Sequence, residues 1–243
     1  MYRNLPPVTK NLLIINFIVW AAMAISPSLE ASMERWCALY YLGSPGFRPW
    51  QLLSYMFLHA NFTHLFFNMF ALFMFGGIIE MTMGSKRFLV FYISCGLGAA
   101  FLQEGVTALM LSEYRTMFSG QDYSYIIREG WAALQRGQIF ADPSAAALSS
   151  VANAPMLGAS GAIYGILLAF GMLYPNRELF IMFIPVPVKA KWVVLGYVLL
   201  ELALGISNNA GDNVAHFAHL GGMLMGFLLL LYWKKKGTFS RWY

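Results

Sequence analysis

Charge is scarce in this chain. Only 11% of its 243 residues are Asp, Glu, Lys or Arg, against about 25% in an ordinary soluble domain. Hydrophobic residues make up 59% and the mean hydropathy is +0.59. One soluble core of this size has no room for so much apolar surface, so a soluble globular class is excluded. Cysteine is scarce too: Cys37 and Cys95 stand alone and far apart. That excludes a disulfide framework or a zinc motif and leaves ordinary apolar packing. Internal repeats, low-complexity tracts and a separate soluble domain are also missing.

What the chain has is long apolar runs. A bilayer core about 30 Å thick needs roughly 20 helical residues, and six stretches approach that length. They lie near Leu12–Pro27, Leu65–Met83, Phe88–Leu111, Leu157–Tyr174, Trp192–Ile206 and Ala215–Trp233. The reading is an all-α polytopic membrane protein, a single membrane domain over 1–243 with six transmembrane helices. The first and fifth runs are short and draw on flanking residues to complete the span. The opening "MYRNLPPVTKNLLIINFIVWAAM" lacks a small-residue cleavage site and is read as a retained first helix rather than a signal peptide.

Orientation follows from the basic residues in the loops. With both termini cytoplasmic, Arg3, Lys10, Lys86, Arg87, Arg177, Lys189, Lys191, Lys234, Lys235, Lys236 and Arg241 lie inside. Arg35, Arg48, Arg115, Arg128 and Arg136 lie outside, so eleven of the 16 basic residues are inside and five outside. The net charge of +5 is therefore a topology signal and not a nucleic-acid footprint. The outer loops are 28–63 and 112–156. The first carries Trp36, Tyr40, Tyr41, Phe47 and Trp50, aromatics suited to a lipid–water interface. The second contains "YSYIIREGWAALQRG", with Ile126, Ile127, Trp131 and Leu134 near helical spacing, which predicts a short interfacial helix with a supporting role.

Polar residues inside spans are costly and usually face the bundle interior or a wet cavity. Three groups stand out. His64 and Asn68 share one face of the second span at i and i+4. Both are directional donors, suited either to interhelical hydrogen bonds or to stabilising a developing oxyanion. His59 precedes them at the membrane surface. Ser160 opens the fourth span in "GASG", where a helix N-terminus offers free N–H groups. Gly158 and Gly161 remove bulk beside it, and Gly161, Gly165 and Ala169 form a small-residue stripe that admits a close helix. His219 opens the sixth span, followed by Gly222 and Gly226. If the stripes of spans four and six meet, His219 can reach Ser160 as its general base. Spans two, four and six all run from outside to inside, so these groups share one depth.

In this order, H-x-x-x-N (His64, Asn68), G-x-S-G (Gly158 to Gly161) and A-H-x-x-G-x-x-x-G (Ala218 to Gly226) resemble the rhomboid family of intramembrane serine proteases. The resemblance covers about residues 12–233. It implies a Ser–His dyad without a catalytic aspartate, with Ser160 as nucleophile and His219 as base. It implies an oxyanion hole of His64, Asn68 and backbone N–H groups around Gly158 and Ser160, and a supporting Tyr164 packed against the catalytic histidine. His219 fits the motif better than His216, because Gly222 and Gly226 fall at its +3 and +7 positions. One departure is Trp50–Gln51, where the family usually has Trp-Arg.

The expected activity is hydrolysis of peptide bonds in transmembrane segments of single-pass or polytopic membrane proteins, near the outer face. Substrate entry is expected sideways past the fifth span and under the loop Ser207–Val214. The expected location is a bacterial inner membrane, with the lipid bilayer as partner, no nucleic acid, no cofactor and no metal. Two rival readings are a client-binding rhomboid-like protein without catalysis and a small transporter. Glu201, in the fifth span, is the residue that fits transport better; its plainer reading is an internal hydrogen bond or a place near the outer helix end.

Overall fold

The computed structural model of the protein describes residues 5–180, 186–207 and 215–237. Among these, eleven α-helices follow one another: α1 (Pro7–Met23), α2 (Pro27–Cys37), α3 (Gln51–Ser54), α4 (Phe62–Ala71), α5 (Gly77–Met83), α6 (Ser85–Met117), α7 (Gly120–Leu134), α8 (Pro143–Asn153), α9 (Ser160–Leu173), α10 (Ala190–Ser207) and α11 (His216–Lys235). A π-helical turn, Leu72–Gly76, joins α4 to α5 in one apolar rod, Phe62–Met83. A two-residue antiparallel ribbon pairs β1 (Glu178–Leu179) with β2 (Val188–Lys189) before α10.

Four of these elements, Phe62–Met83, α6, α10 and α11, are long and apolar enough to cross a membrane, while α1 and α9 are apolar but shorter; the fifth run, expected to be short, is long enough as α10, and the fourth is short instead. The protein is thus an all-α, multi-pass integral membrane protein. Several boundaries differ from the hydropathy reading for local reasons. The first apolar run was expected to reach Pro27, but α1 ends at Met23 and Pro27 starts α2, whose Ser26 cap accepts from the Leu29 N–H at 3.2 Å. The third run continues as helix to Met117, because the polar residues that end the hydropathy signal are themselves compatible with helix. The fourth was expected from Leu157, yet α9 starts only at Ser160. Gly158 just before it holds φ +130°, a conformation that breaks any helix and favours glycine.

The two long connections expected on the outside are built largely of helices. Residues 28–63 hold α2 and α3, and 112–156 hold the α7–α8 hairpin, in agreement with the short helix expected there. Asn153 locks that hairpin to the first loop: its amide donates to the Ile127 carbonyl at 3.1 Å and accepts from Ser44 Oγ at 2.6 Å. Trp131 packs edge-on against Tyr40 with ring centroids 4.7 Å apart. Gln51 is fully buried, accepting from the Arg48 N–H at 2.9 Å and donating to the Gly46 carbonyl at 3.0 Å. An arginine has no acceptor and could not make the first of these bonds, so the departure at Gln51 is a working staple of this loop.

Beneath the loops, α6, α9 and α11 meet through their small residues. A methyl group on Gly222 would collide with the Gly161 carbonyl, one on Gly161 with the Ala99 side chain, and one on Gly165 with Cys95. Backbones this close maximise dispersion contact, which is what associates helices where lipid removes the hydrophobic driving force. Cys95 is packing material here, fully buried between Gly165 and Gly226.

Candidate active site

Ser160 owes its position to the six residues before it. Leu39 and Met156 exchange both backbone hydrogen bonds, at 2.8 and 2.7 Å, and the Gly158 N–H donates to the Tyr55 carbonyl at 2.9 Å. Tyr55 is itself anchored by its hydroxyl to the Gly96 carbonyl of α6 at 2.8 Å. The chain reaches the head of α9 strapped to the 28–63 connection, and Ser160 is its first helical residue. Helix geometry leaves the first amides of α9 without partners inside the helix.

On one side of Ser160 stands His219. Ser160 Oγ is 2.8 Å from His219 Nε2. The His219 imidazole stacks on the Tyr164 ring with centroids 4.1 Å apart and planes 8° from parallel. Tyr164 lies one turn after Ser160, so the same helix that presents the hydroxyl also presents the ring under the imidazole. The close approach that delivers His219 is the Gly161–Gly222 contact, and both glycines act here through the room they leave.

On the other side, α4 brings donors. Asn61 caps that helix by accepting from the His64 N–H at 2.8 Å, which fixes where His64 begins its turn. Asn68 is nearly buried, and its amide donates to the His64 carbonyl at 2.9 Å. Among the described residues, no hydrogen-bond partner is seen for the His64 ring nitrogens. Gly158 ties this side to Ser160: a Cβ there would lie 2.8 and 2.9 Å from His64 Cε1 and Nε2 and 3.7 Å from Ser160 Oγ. The expected place of Gly158 among the oxyanion donors needs correcting. Its N–H already serves the Tyr55 carbonyl, so Gly158 contributes a bend and a space, and the unpaired amides are those opening α9. His59 stacks edge-on against His64 at 5.0 Å and has both ring nitrogens buried without a partner.

Glu201 lies against these residues, and the internal hydrogen bond that is its plainer sequence reading is present; which partners it would meet was not legible. It is 3% exposed, accepts from the Tyr164 hydroxyl through Oε1, and brings Oε2 to 2.6 Å from His216 Nδ1 and 2.9 Å from His219 Nδ1. The signal was a lone carboxylate in an apolar span, which is a marker of a functional site in its own right. Donor atoms of Glu201, His216 and His219 all lie within 4.8 Å of one another, close enough to surround a cation. The short contacts already seen between Glu201 and each histidine account for that spacing without one. Of the loop expected to cap the entry route, residues 208–214 lie outside the described residues.

Residues 46–236 match the family described as Rhomboid domain. Rhomboid protein 1, mitochondrial, of Saccharomyces cerevisiae is 28% identical over 177 residues, covering 73% of this chain and 40% of that protein. RHOMBOID-like protein 12, mitochondrial, of Arabidopsis thaliana is 30% identical over 173 residues, covering 70% and 42%. Rhomboid protease AarA of Providencia stuartii is 28% identical over 234 residues, covering 91% and 70%. The chain spans about half the length of several curated relatives it matches, 40% to 53% for four of them. By the extent of the domain match, the chain belongs to the rhomboid family.

Proposed function

We propose that the protein is an intramembrane serine endopeptidase that cuts transmembrane segments of other membrane proteins near the outer face. The observation that carries this reading is the 2.8 Å contact between Ser160 Oγ and His219 Nε2, at a helix N-terminus where Gly158 borders the His64 ring. His219 Nε2 accepts the Ser160 proton as Oγ attacks the scissile carbonyl. The oxyanion is met by His64, Asn68 and the first amides of α9. Collapse of the tetrahedral intermediate expels the amine, which takes the proton from His219 and leaves an acyl-enzyme. Water then enters from the outer face, since hydrocarbon supplies none. His219 accepts a proton from that water as its oxygen attacks the acyl carbon, and returns it to Ser160 Oγ as the acyl bond breaks.

A helical substrate has to open its backbone to expose a carbonyl, so small and helix-breaking residues near the cut are expected. Entry past α10 suits the low burial of that helix: 17% of its apolar stretch is buried, against 44% for α6 and for α11. A disulfide joining α10 to α4 is expected to abolish cleavage, and unchanged turnover in the oxidised protein would rule that route out. We further infer six spans, with α1 and α9 completed by flanking residues, and cytoplasmic termini in a bacterial inner membrane.

The test is cleavage of a model transmembrane substrate in liposomes by the native chain, Ser160→Ala and His219→Ala. Both variants should fold and fall to background. Cleavage surviving in Ser160→Ala removes the protease assignment from this site. Stable capture of the uncut substrate, with no cleavage by the native chain, points instead to a client-binding protein.

A further inference from the structure

Glu201 has no part in the mechanism above, yet it is the most heavily engaged side chain beside it. A carboxylate in an apolar span costs several kcal/mol unless its oxygens are satisfied. Every group that satisfies this one is either His219 or a neighbour of His219. Tyr164, on which the imidazole stacks, donates to Oε1. Oε2 sits against His216 Nδ1 at 2.6 Å and His219 Nδ1 at 2.9 Å. The first is an aligned hydrogen bond; the second has the distance of an ion pair but lies off the hydrogen-bond line, leaving His219 Nδ1 without an aligned acceptor.

The chemistry of the dyad makes that second contact matter. For Ser160 to donate to His219 Nε2, the single proton of the neutral imidazole has to sit on Nδ1, the nitrogen that faces Glu201. When Nε2 then takes the serine proton, the imidazolium forms with its Nδ1–H beside a carboxylate. Among the described residues, the groups facing His219 are Ser160 and Tyr164 from α9, Glu201 from α10, His216 from its own helix and His64 from α4, with Tyr197 behind Tyr164. Glu201 is the one anion among them.

We propose that Glu201 is a positioning residue of the reaction. It holds the His219 imidazole in the Nδ1–H tautomer, steadies the Tyr164 ring beneath it, and stabilises the imidazolium formed during attack. The resemblance drawn from the motifs implies a dyad with no acidic partner; this chain supplies one from a third helix. The carboxylate keeps its charge throughout and no proton is transferred to it, as in the Ser–His–Asp arrangement. The proposal rests on Ser160 and His219 being the reacting pair, and α10 thereby carries part of the catalytic geometry as well as bordering the expected entry route.

The test is a set of kcat and KM profiles against pH for the native chain, Glu201→Gln and Glu201→Asp, with the model substrate in liposomes and thermal unfolding run on each protein. Replacing the acid of a Ser–His–Asp triad by its amide lowers kcat by about 10⁴. Because the contact here is off-line, a fall on the order of 10²-fold or more is expected for Glu201→Gln, with KM little changed. The acid limb of its profile should move to lower pH, since the amide removes the negative charge that favours the imidazolium. Glu201→Asp, which keeps the charge, should recover much of the lost kcat and the native limb. Native kcat and an unmoved limb in Glu201→Gln would overturn the proposal. So would equal losses in both variants that track a lowered Tm, the mark of a merely structural role. Failure of the underlying pair reads out separately: Ser160→Ala, run in parallel, would still cleave, and the positioning role would fall with it.

Discussion

The two flanks of Ser160 are built on opposite terms. On the His219 flank, polar atoms face one another across three helices, and one carboxylate gathers Tyr164, His216 and His219. On the α4 flank the polar groups turn inward: the His59 ring is buried with neither nitrogen in an aligned hydrogen bond, and the Asn68 amide donates to the His64 carbonyl of its own helix. A buried polar group left unpaired costs about 1–3 kcal/mol; that cost falls on both His59 ring nitrogens on the α4 flank and on His219 Nδ1 on the other. The difference fits a division of labour in which one flank stores and moves a proton. The other keeps donors ready for a charge that exists only during reaction.

Removing a donor is the sharpest way to break this comparison. His64→Ala should lower kcat by roughly 10²–10³, the range for deleting one oxyanion donor, with KM and Tm nearly unchanged. A loss expressed mainly in KM would make His64 a substrate-binding group and end the division. Next in size is Gly158→Ala. The alanine has to adopt φ +130°, at a cost of about 1–3 kcal/mol, and its methyl would press on the His64 ring. A lower Tm is expected together with a kcat loss on the order of 10²-fold, as for a misplaced catalytic group. If Tm falls but kcat per folded molecule does not, Gly158 shapes the loop and leaves the donor flank alone.

The smallest effect concerns pH. Burial, helped by neighbouring His64, pushes the His59 imidazole down from 6.5 to about 4. The unfolded chain then binds a proton below pH 6.5 that the folded one refuses until about pH 4. Stability from this neutral histidine is fully present above 6.5 and is lost as pH falls toward 4, by up to ~1.4 kcal/mol per unit. Thermal unfolding of His59→Gln should show a shallower decline of Tm over that window than the native chain. Parallel curves would mean His59 is not held neutral by the fold.

Much of this was legible in the sequence because hydropathy and small-residue spacing are local signals. The apolar runs located the long helices, and the Gly161 and Gly222 stripes foretold the close approach of α9 and α11. What was not legible depended on direction. A lone Glu201 carries no information on which way α10 is rotated, so its plainer reading as an internal hydrogen bond could not name Tyr164, His216 and His219 as the partners. Gly158 looked like a source of a free amide, and only the strap to Tyr55 shows that its N–H is taken. Gln51 looked like a lost charge because the sequence does not reveal that the position needs an acceptor for the Arg48 N–H.

The central claim is that His219 activates Ser160. The most direct measurement is the rate and place of covalent labelling by a fluorophosphonate, read by peptide mass spectrometry on the native chain and His219→Ala. The account predicts one adduct, on Ser160, formed at least about 10²-fold more slowly when the base is gone. An adduct on another residue, or equal labelling of Ser160 in both proteins, would contradict it.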